Sequence, residues 1–121
     1  MIWLIIGLPG SGKTHLGKTL SEQLGCPFID DIVDINGLPD HDPFIVSDIA
    51  CCDGNVARLA IEYMEARFGC EVEVIYFVND PEQCLRNVER RNDGRLVTEA
   101  IKNYSKIYKP INPIPVWKPD E

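Results

Sequence analysis

The sequence predicts an α/β fold in which helices cover both faces of a small parallel sheet. Short runs of β-branched and apolar residues alternate with longer segments of helical spacing, and strands that alternate with helices form parallel sheets. The first strand, residues 2–6, leads through a glycine-rich loop into a helix with leucines at helical spacing, which Gly25 ends. We therefore expect three layers, helix, sheet and helix, in one domain of residues 1–121.

The loop after the first strand carries the strongest motif. Residues 7–14 read Gly-Leu-Pro-Gly-Ser-Gly-Lys-Thr and match the phosphate-binding pattern G-x-x-x-x-G-K-[ST] at every position. Glycines let the backbone wrap so that several N–H groups point at phosphate oxygens, and the following helix N-terminus adds partial positive charge. Lys13 is expected to reach the β- and γ-phosphates, and the Thr14 hydroxyl is expected to hold Mg²⁺.

This motif in this context predicts the P-loop NTPase fold, with ATP and Mg²⁺ as the ligands. The nucleotide-binding candidates at the loop are Gly7, Pro9, Gly10, Ser11, Gly12, Lys13, Thr14 and His15. His15 lies within the first predicted helix without cysteine or histidine neighbours at metal-ligand spacing, and we assign no chemical role to its side chain.

The rest of the chain continues the alternation. The expected elements are a strand at 26–29, a loop at 30–43, a strand at 44–46, a helix at 56–68, a strand at 72–78, a helix that begins near Pro81, and a last helix that runs to Tyr108. Asp53 or Asn55 is the expected N-terminal cap of the helix at 56–68. Asp80 is the expected cap of the helix that begins near Pro81, and Thr98 is the expected cap of the last helix. The proline-rich tail is predicted to be either an edge strand or an irregular cover.

Composition narrows the class of protein. Hydrophobic residues make up 45% and charged residues 26% of the chain, as in ordinary globular proteins. The net charge of −7 argues against broad, non-specific nucleic-acid binding. The five cysteines show neither a disulfide framework nor metal-ligand spacing. No apolar run approaches the ~18 residues of a membrane span. We expect a cytoplasmic protein that does not associate with membranes.

Acidic residues follow two of the predicted strands. Because the carboxyl ends of parallel strands meet at the ligand-binding edge of the sheet, Asp30, Asp31 and Asp48 are candidates for the active site. One of Asp30 and Asp31 is expected to orient or deprotonate the acceptor hydroxyl, with a helix cap or a solvated loop as the alternative. Asp48 is expected to hold Mg²⁺ or the acceptor, with loop capping as the alternative.

Basic residues cluster later in the chain. Arg90, Arg91 and Arg95 flank a predicted hinge at Asn92-Asp93-Gly94, where one or two of them could close over the phosphates and stabilise developing charge. The alternative is that they pair with glutamates on an exposed helix face. Stacking on adenine is one use that the sequence offers for Tyr104, Tyr108 and Trp117, but packing in the core or the cover is the use that it favours.

Four segments resemble the phage-type 5′-hydroxyl polynucleotide kinases and the related zeta-toxin-like phosphotransferases. They are the phosphate loop at 7–14, the strand ending in Ser-Asp at 44–48, the helix and strand at 58–73, and the arginine-rich segment at 84–98. The resemblance implies an ATP-dependent kinase, in which Lys13, Asp30 or Asp31, Asp48, Arg91 and Arg95 act on phosphoryl transfer and Arg90 helps to bind nucleotide. It implies a nucleic-acid 5′ end or a small nucleotide as the acceptor.

Two alternatives stay open. Val33 stands where the family has an arginine, and residues 32–43 are fewer than the family uses to bind its acceptor. These differences favour either a nucleoside, nucleotide or other small-molecule kinase, or an ATP-binding protein that has lost catalysis. A GTPase-type switch is disfavoured, because Trp117-Lys118-Pro119-Asp120 only half matches the guanine-reading N-K-x-D pattern.

Overall fold

The computed structural model describes residues 1–30, 37–91 and 97–118. The described strands form one parallel sheet in the order β2-β3-β1-β4. They are β1 (Ile2–Ile6), β2 (Phe28–Asp30), β3 (Phe44–Ser47) and β4 (Val72–Tyr76). The described helices are α1 (Lys13–Leu24), α2 (Gly54–Phe68), α3 (Pro81–Arg91) and α4 (Thr98–Ser105), and a 3₁₀ turn, Ile49–Cys52, joins β3 to α2.

Helices lie on both faces of the sheet, so the predicted three-layer α/β/α fold is confirmed. Side chains alternate along β1: Ile2, Leu4 and Ile6 belong to the core that α2, α3 and α4 cover. Ile5 belongs to the smaller core under α1. All four of these side chains are fully buried, as the central strand of a sheet covered on both faces requires.

The helix ends follow local sequence chemistry. Gly25 and Gly69 end α1 and α2 in the left-handed conformation, which glycine adopts without steric penalty. Asp53 caps α2, because its side chain accepts a hydrogen bond from the Asn55 amide. Asp80 caps α3 in the same way, through the Gln83 amide at 3.1 Å. The choice between Asp53 and Asn55 is thus resolved in favour of Asp53.

The last helix differs from its prediction at both ends. Thr98 is its first helical residue rather than its cap, and Val97 stands at the cap position without a side-chain hydrogen bond. The helix ends at Ser105, before Tyr108, whose hydroxyl instead donates to the buried main-chain carbonyls of Ile6 and Phe77. Tyr108 therefore packs in the core at the carboxyl end of β1. Its hydrogen bonds to residues far away in the sequence, and not the helical spacing, determine its position.

The C-terminal segment packs beside β4. Ile114 forms a parallel bridge with Phe77, its amide donates to the Tyr76 carbonyl, and its carbonyl accepts from the Val78 amide. The tail is therefore a single bridge at the sheet edge that continues as an irregular cover, a combination of the two predicted forms. Over the described residues, no helix is long and apolar enough to cross a membrane.

Candidate functional site

A cleft of about 370 Å³ opens at the carboxyl edge of the sheet, beside the phosphate loop. Elements from distant parts of the chain meet there. The lining residues are Pro9, Gly10, Gly12, Lys13, Thr14, His15, Lys18, Asp30, Asn87, Arg91, Val97 and Trp117. Eight of these twelve were candidates from the sequence, and Lys18, Asn87 and Val97 were not. Trp117 was considered only as one of several aromatic possibilities.

The loop backbone requires glycine at two cleft positions. Gly10 and Gly12 have φ of +83° and +110°, a region that side chains rarely adopt. A Cβ on Gly10 would lie 2.7 Å from the Cys84 carbonyl oxygen of α3, and one on Gly12 would lie 2.8 Å from Cβ of Trp117. The loop is thus held between α3 and the C-terminal segment, and its glycines permit both close approaches.

Lys13 begins α1 and is nearly buried, with 9% of its surface exposed. Its ammonium donates to the Gly7 carbonyl at 2.7 Å and to the Leu8 carbonyl at 3.4 Å. These contacts fix the ammonium over the loop that it is predicted to serve. Gly7 and Ser11, two further loop candidates, are not among the residues that line the cleft. Ser11 is fully buried, and its hydroxyl occupies the space that a Cβ on Gly7 would need.

Asp30 joins the loop to two strands. It is the last residue of β2, and its Oδ2 accepts a hydrogen bond from the Thr14 hydroxyl at 2.7 Å. Its Oδ1 accepts one from the hydroxyl of Ser47, the last residue of β3, at 2.9 Å. Two donors on different elements therefore fix the carboxylate plane at the cleft. Asp31, the second candidate of this pair, lies outside the described residues.

Asp48 lies directly after β3, as predicted, and its side chain forms a local hydrogen bond. Its Oδ1 accepts from the Ala50 amide at 2.9 Å and caps the 3₁₀ turn. This is the loop-capping use that the sequence left open. Asp48 is not among the residues that line the cleft. Its predicted role towards Mg²⁺ remains a prediction.

The arginines divide into separate positions. Arg91, the last residue of α3, lines the same cleft as Asp30. Arg90 is exposed on the same turn and does not line the cleft. Arg95 and the predicted hinge at 92–94 lie outside the described residues. Of the three candidates, Arg91 is thus the one that the described structure brings to the loop.

The buried thiols of Cys51, Cys52 and Cys84 have low reactivity at neutral pH. Burial, together with the nearby Asp48 carboxylate, raises the pKa of Cys51 to about 12. Burial raises the pKa of Cys52 to about 11, and burial with Asp80 raises that of Cys84 to about 12. All three thiols are protonated at neutral pH, so they are poor nucleophiles and poor metal ligands there.

The oxygen atoms at the cleft suit a magnesium–nucleotide complex. Thr14 and Asp30 supply hydroxyl and carboxylate oxygens, the hard ligands that Mg²⁺ prefers. Within the described ranges, no group of three His, Cys, Asp or Glu side chains could hold a metal ion by itself.

No protein-family model matches the chain. A protein of Acanthamoeba polyphaga mimivirus, named "Uncharacterized protein R277", is 36% identical over 115 residues, which cover 87% of this chain and 83% of the relative. The chain belongs to the family of this mimivirus protein. The relative's name states no activity, so the family membership does not identify a reaction.

Among solved structures, the YorR protein of Bacillus subtilis is similar to this chain with a TM-score of 0.59 and 18% identity. The similarity covers 88% of this chain and 76% of YorR, whose crystal structure is a complex with phosphorylated GDP. At this level of identity the likeness shows a shared α/β fold.

Proposed function

We propose that this protein is a phosphotransferase that moves the γ-phosphate of ATP to a hydroxyl or phosphate of a nucleic-acid 5′ end or a nucleotide. The observation that carries the proposal is the hydrogen bond between Thr14 and Asp30. It brings the last residue of a complete phosphate-binding motif within 2.7 Å of a carboxylate at a strand end. A binding loop beside an oriented carboxylate is the arrangement that phosphoryl transfer to a hydroxyl needs.

The donor side of the cleft supplies cations and amides. The amides of the loop and the N-terminus of α1 would cradle the phosphates, and Lys13 would neutralise charge on the β- and γ-phosphates. Arg91, at the end of α3, lines the same cleft and would bind the transferred group. Phosphoryl transfer depends mainly on such positioning and charge neutralisation, so these residues account for most of the chemistry.

Mg²⁺, when bound with the nucleotide, neutralises charge on the phosphate oxygens. Thr14 would hold it, with Asp48 as the further ligand that the sequence predicts. Ser47 would act on the acceptor side of the site, because its buried hydroxyl fixes the orientation of the Asp30 carboxylate.

Asp30 would also orient the acceptor. Each of its oxygens accepts one hydrogen bond from the protein, while a carboxylate oxygen can accept two. The remaining capacity suits an acceptor hydroxyl that approaches from the cleft, where Asp30 is exposed. A carboxylate that accepts this proton as the phosphoryl group transfers typically contributes about 10²- to 10⁴-fold to the rate.

The acceptor defines two versions of the proposal. The resemblance at residues 44–48 and 84–98 favours a 5′-hydroxyl polynucleotide end. YorR shares the fold and is described with phosphorylated GDP, which supports a small nucleotide as the second candidate. It also makes GTP a phosphate donor that must be compared with ATP.

The test is transfer of label from γ-labelled ATP or GTP, with Mg²⁺, to a panel of 5′-hydroxyl oligonucleotides, nucleosides and nucleoside monophosphates. Lys13→Ala is the inactive control, and Lys102→Ala, on the exposed surface of α4, is the matched control. We expect label on one acceptor class with the unmodified protein and with Lys102→Ala, and none with Lys13→Ala.

The distribution of label decides between the versions. Label on the oligonucleotide supports the polynucleotide kinase version, and label on small acceptors alone supports a nucleotide or nucleoside kinase. Tight binding of MgATP with no labelled acceptor would contradict the proposal and favour a nucleotide-binding protein without catalysis.

A further inference from the structure

Asn87 connects three segments that lie far apart in the sequence. It lies on α3 and is 3% exposed. Its amide nitrogen donates to the carbonyl of Gly10 in the phosphate loop at 2.8 Å and to the carbonyl of Trp117 in the C-terminal segment at 2.7 Å. One side chain therefore uses both of its donors to tie the loop and the tail to the same helix.

The orientation of this amide is itself fixed. Oδ1 of Asn87 accepts a hydrogen bond from Nε2 of Gln83 at 2.9 Å, one turn earlier on α3. Oε1 of Gln83 accepts in turn from the guanidinium of Arg86 at 2.9 Å. The network therefore dictates which end of the Asn87 amide faces the loop. A buried polar network that is satisfied in this way holds its members in one arrangement.

We propose that Asn87 is a positioning residue that couples the phosphate loop to docking of the C-terminal segment, so that nucleotide binding depends on the tail. Two further contacts support this coupling. The Trp117 amide donates to the Ser11 carbonyl at 2.9 Å, and Val116 is buried beside it. Asn87 and the loop thus hold Trp117 through its carbonyl and its amide, respectively. The part of the inference that concerns nucleotide affinity rests on the proposed function.

The expected effect follows from the loop conformation. Gly10 stands in a left-handed conformation, and its carbonyl accepts the hydrogen bond from Asn87 on α3. Without the Asn87 donor, no side chain at position 87 holds the orientation of the Gly10 peptide. The loop then samples arrangements that bind phosphate less well. We therefore expect loss of this hydrogen bond to weaken nucleotide binding about tenfold, which corresponds to about 1.4 kcal/mol.

Asn79 provides a matched control whose hydrogen bonds go to segments other than the phosphate loop. Its amide nitrogen also donates to two main-chain carbonyls, those of Ser105 at 2.8 Å and Tyr108 at 3.0 Å. These bonds join the segment that follows β4 to the last residue of α4 and the segment after it, and they do not involve the phosphate loop. Asn87→Ala and Asn79→Ala therefore each remove an amide that donates to two main-chain carbonyls, and Asn87→Ala in addition removes the acceptor of the Gln83 amide.

The experiment compares the two variants by amide hydrogen exchange and by calorimetric titration with MgATP and MgGTP. In Asn87→Ala we expect the Trp117 amide to exchange at least about tenfold faster and nucleotide affinity to fall about tenfold. The Phe77 amide, which donates to the Ile6 carbonyl, is the internal reference and stays protected. In Asn79→Ala we expect Trp117 exchange and nucleotide affinity to remain those of the unmodified protein.

Gln83→Leu is the second variant and serves if Asn87→Ala does not fold. It keeps Asn87 but removes the hydrogen bond that orients the Asn87 amide. We expect faster exchange of the Trp117 amide and weaker nucleotide binding, both by smaller factors than in Asn87→Ala. Unchanged Trp117 exchange in Asn87→Ala or Gln83→Leu, or equal loss of affinity in Asn79→Ala, would overturn the inference. If the unmodified protein binds neither nucleotide, the proposed function fails, whereas the exchange data still decide whether Asn87 couples the loop to the tail.

Discussion

The hydroxyl of Thr14 donates to the carboxylate of Asp30 over 2.7 Å and so joins the phosphate loop to the end of β2. This contact links the residue that the motif assigns to Mg²⁺ with the residue that strand position assigns to the acceptor. Ser47 holds the other carboxylate oxygen from β3. The three side chains connect α1, β2 and β3 at one edge of the sheet, where α/β proteins bind their ligands.

Trp117 should report nucleotide binding. The chain has two tryptophans, and Trp117 is 44% exposed at the cleft, whereas Trp3 belongs to the small core beneath α1. We expect MgATP to change the tryptophan emission of the unmodified protein and of Trp3→Phe. Trp117→Phe should lose most of this signal while it still binds the nucleotide by calorimetry. A full signal from Trp117→Phe would show that the nucleotide does not approach this side chain.

Gly12 should resist substitution for two separate reasons. Its φ of +110° disfavours any side chain, and an added Cβ would lie 2.8 Å from Cβ of Trp117. We expect Gly12→Ala to lower the free energy of unfolding by about 1–3 kcal/mol and to impair binding of MgATP.

Gly54→Ala is the control for this substitution. Gly54 is the first helical residue of α2, and an added Cβ would meet no atom within 4 Å. We expect it to be neutral or to stabilise the protein by up to about 1 kcal/mol in denaturant unfolding. A Gly12→Ala variant as stable as Gly54→Ala would contradict the loop conformation described above.

The cysteines should differ in reactivity. Burial raises the pKa of Cys51 and Cys84 to about 12 and that of Cys52 to about 11, and Cys26 is also buried. Because the thiolate is the reactive form, a thiol reagent at pH 8 should label Cys70, which is partly exposed, well before the other four. Mass spectrometry of peptides after timed labelling checks this order. Early labelling of Cys51 or Cys52 in the folded protein would contradict it.

The sequence alone predicts much of the site, because local rules determine it. The motif identifies the loop, and the rule that parallel strands end at one edge brings Asp30 to it. Asp48 shows where such rules stop, since a strand-end position does not reveal whether a carboxylate faces the ligand or caps the next turn. The prediction that Thr98 caps the last helix is wrong for a related reason, because a residue type that suits a cap can equally be the first residue of the helix.

Contacts between distant segments account for what the sequence does not reveal. Asn87 is 77 residues from Gly10, its hydrogen-bond partner in the loop, and periodicity within α3 carries no information about that partner. The tail has no regular pattern, so its hydrogen bonds to the loop through Trp117 could not be inferred either. Only the packed fold brings Asn87 and Trp117 to the cleft.

The most direct test of the account is single-turnover transfer of label from γ-labelled ATP by the unmodified protein and by Asp30→Asn, together with the dissociation constant for MgATP of each. Asp53→Asn is the matched control, because asparagine also caps a helix well and Asp53 lies outside the cleft.

We expect Asp30→Asn to transfer label about 10²- to 10⁴-fold more slowly while it still binds MgATP, and Asp53→Asn to match the unmodified protein. Equal transfer rates in Asp30→Asn and the unmodified protein would contradict the assignment of Asp30 as the group that orients the acceptor.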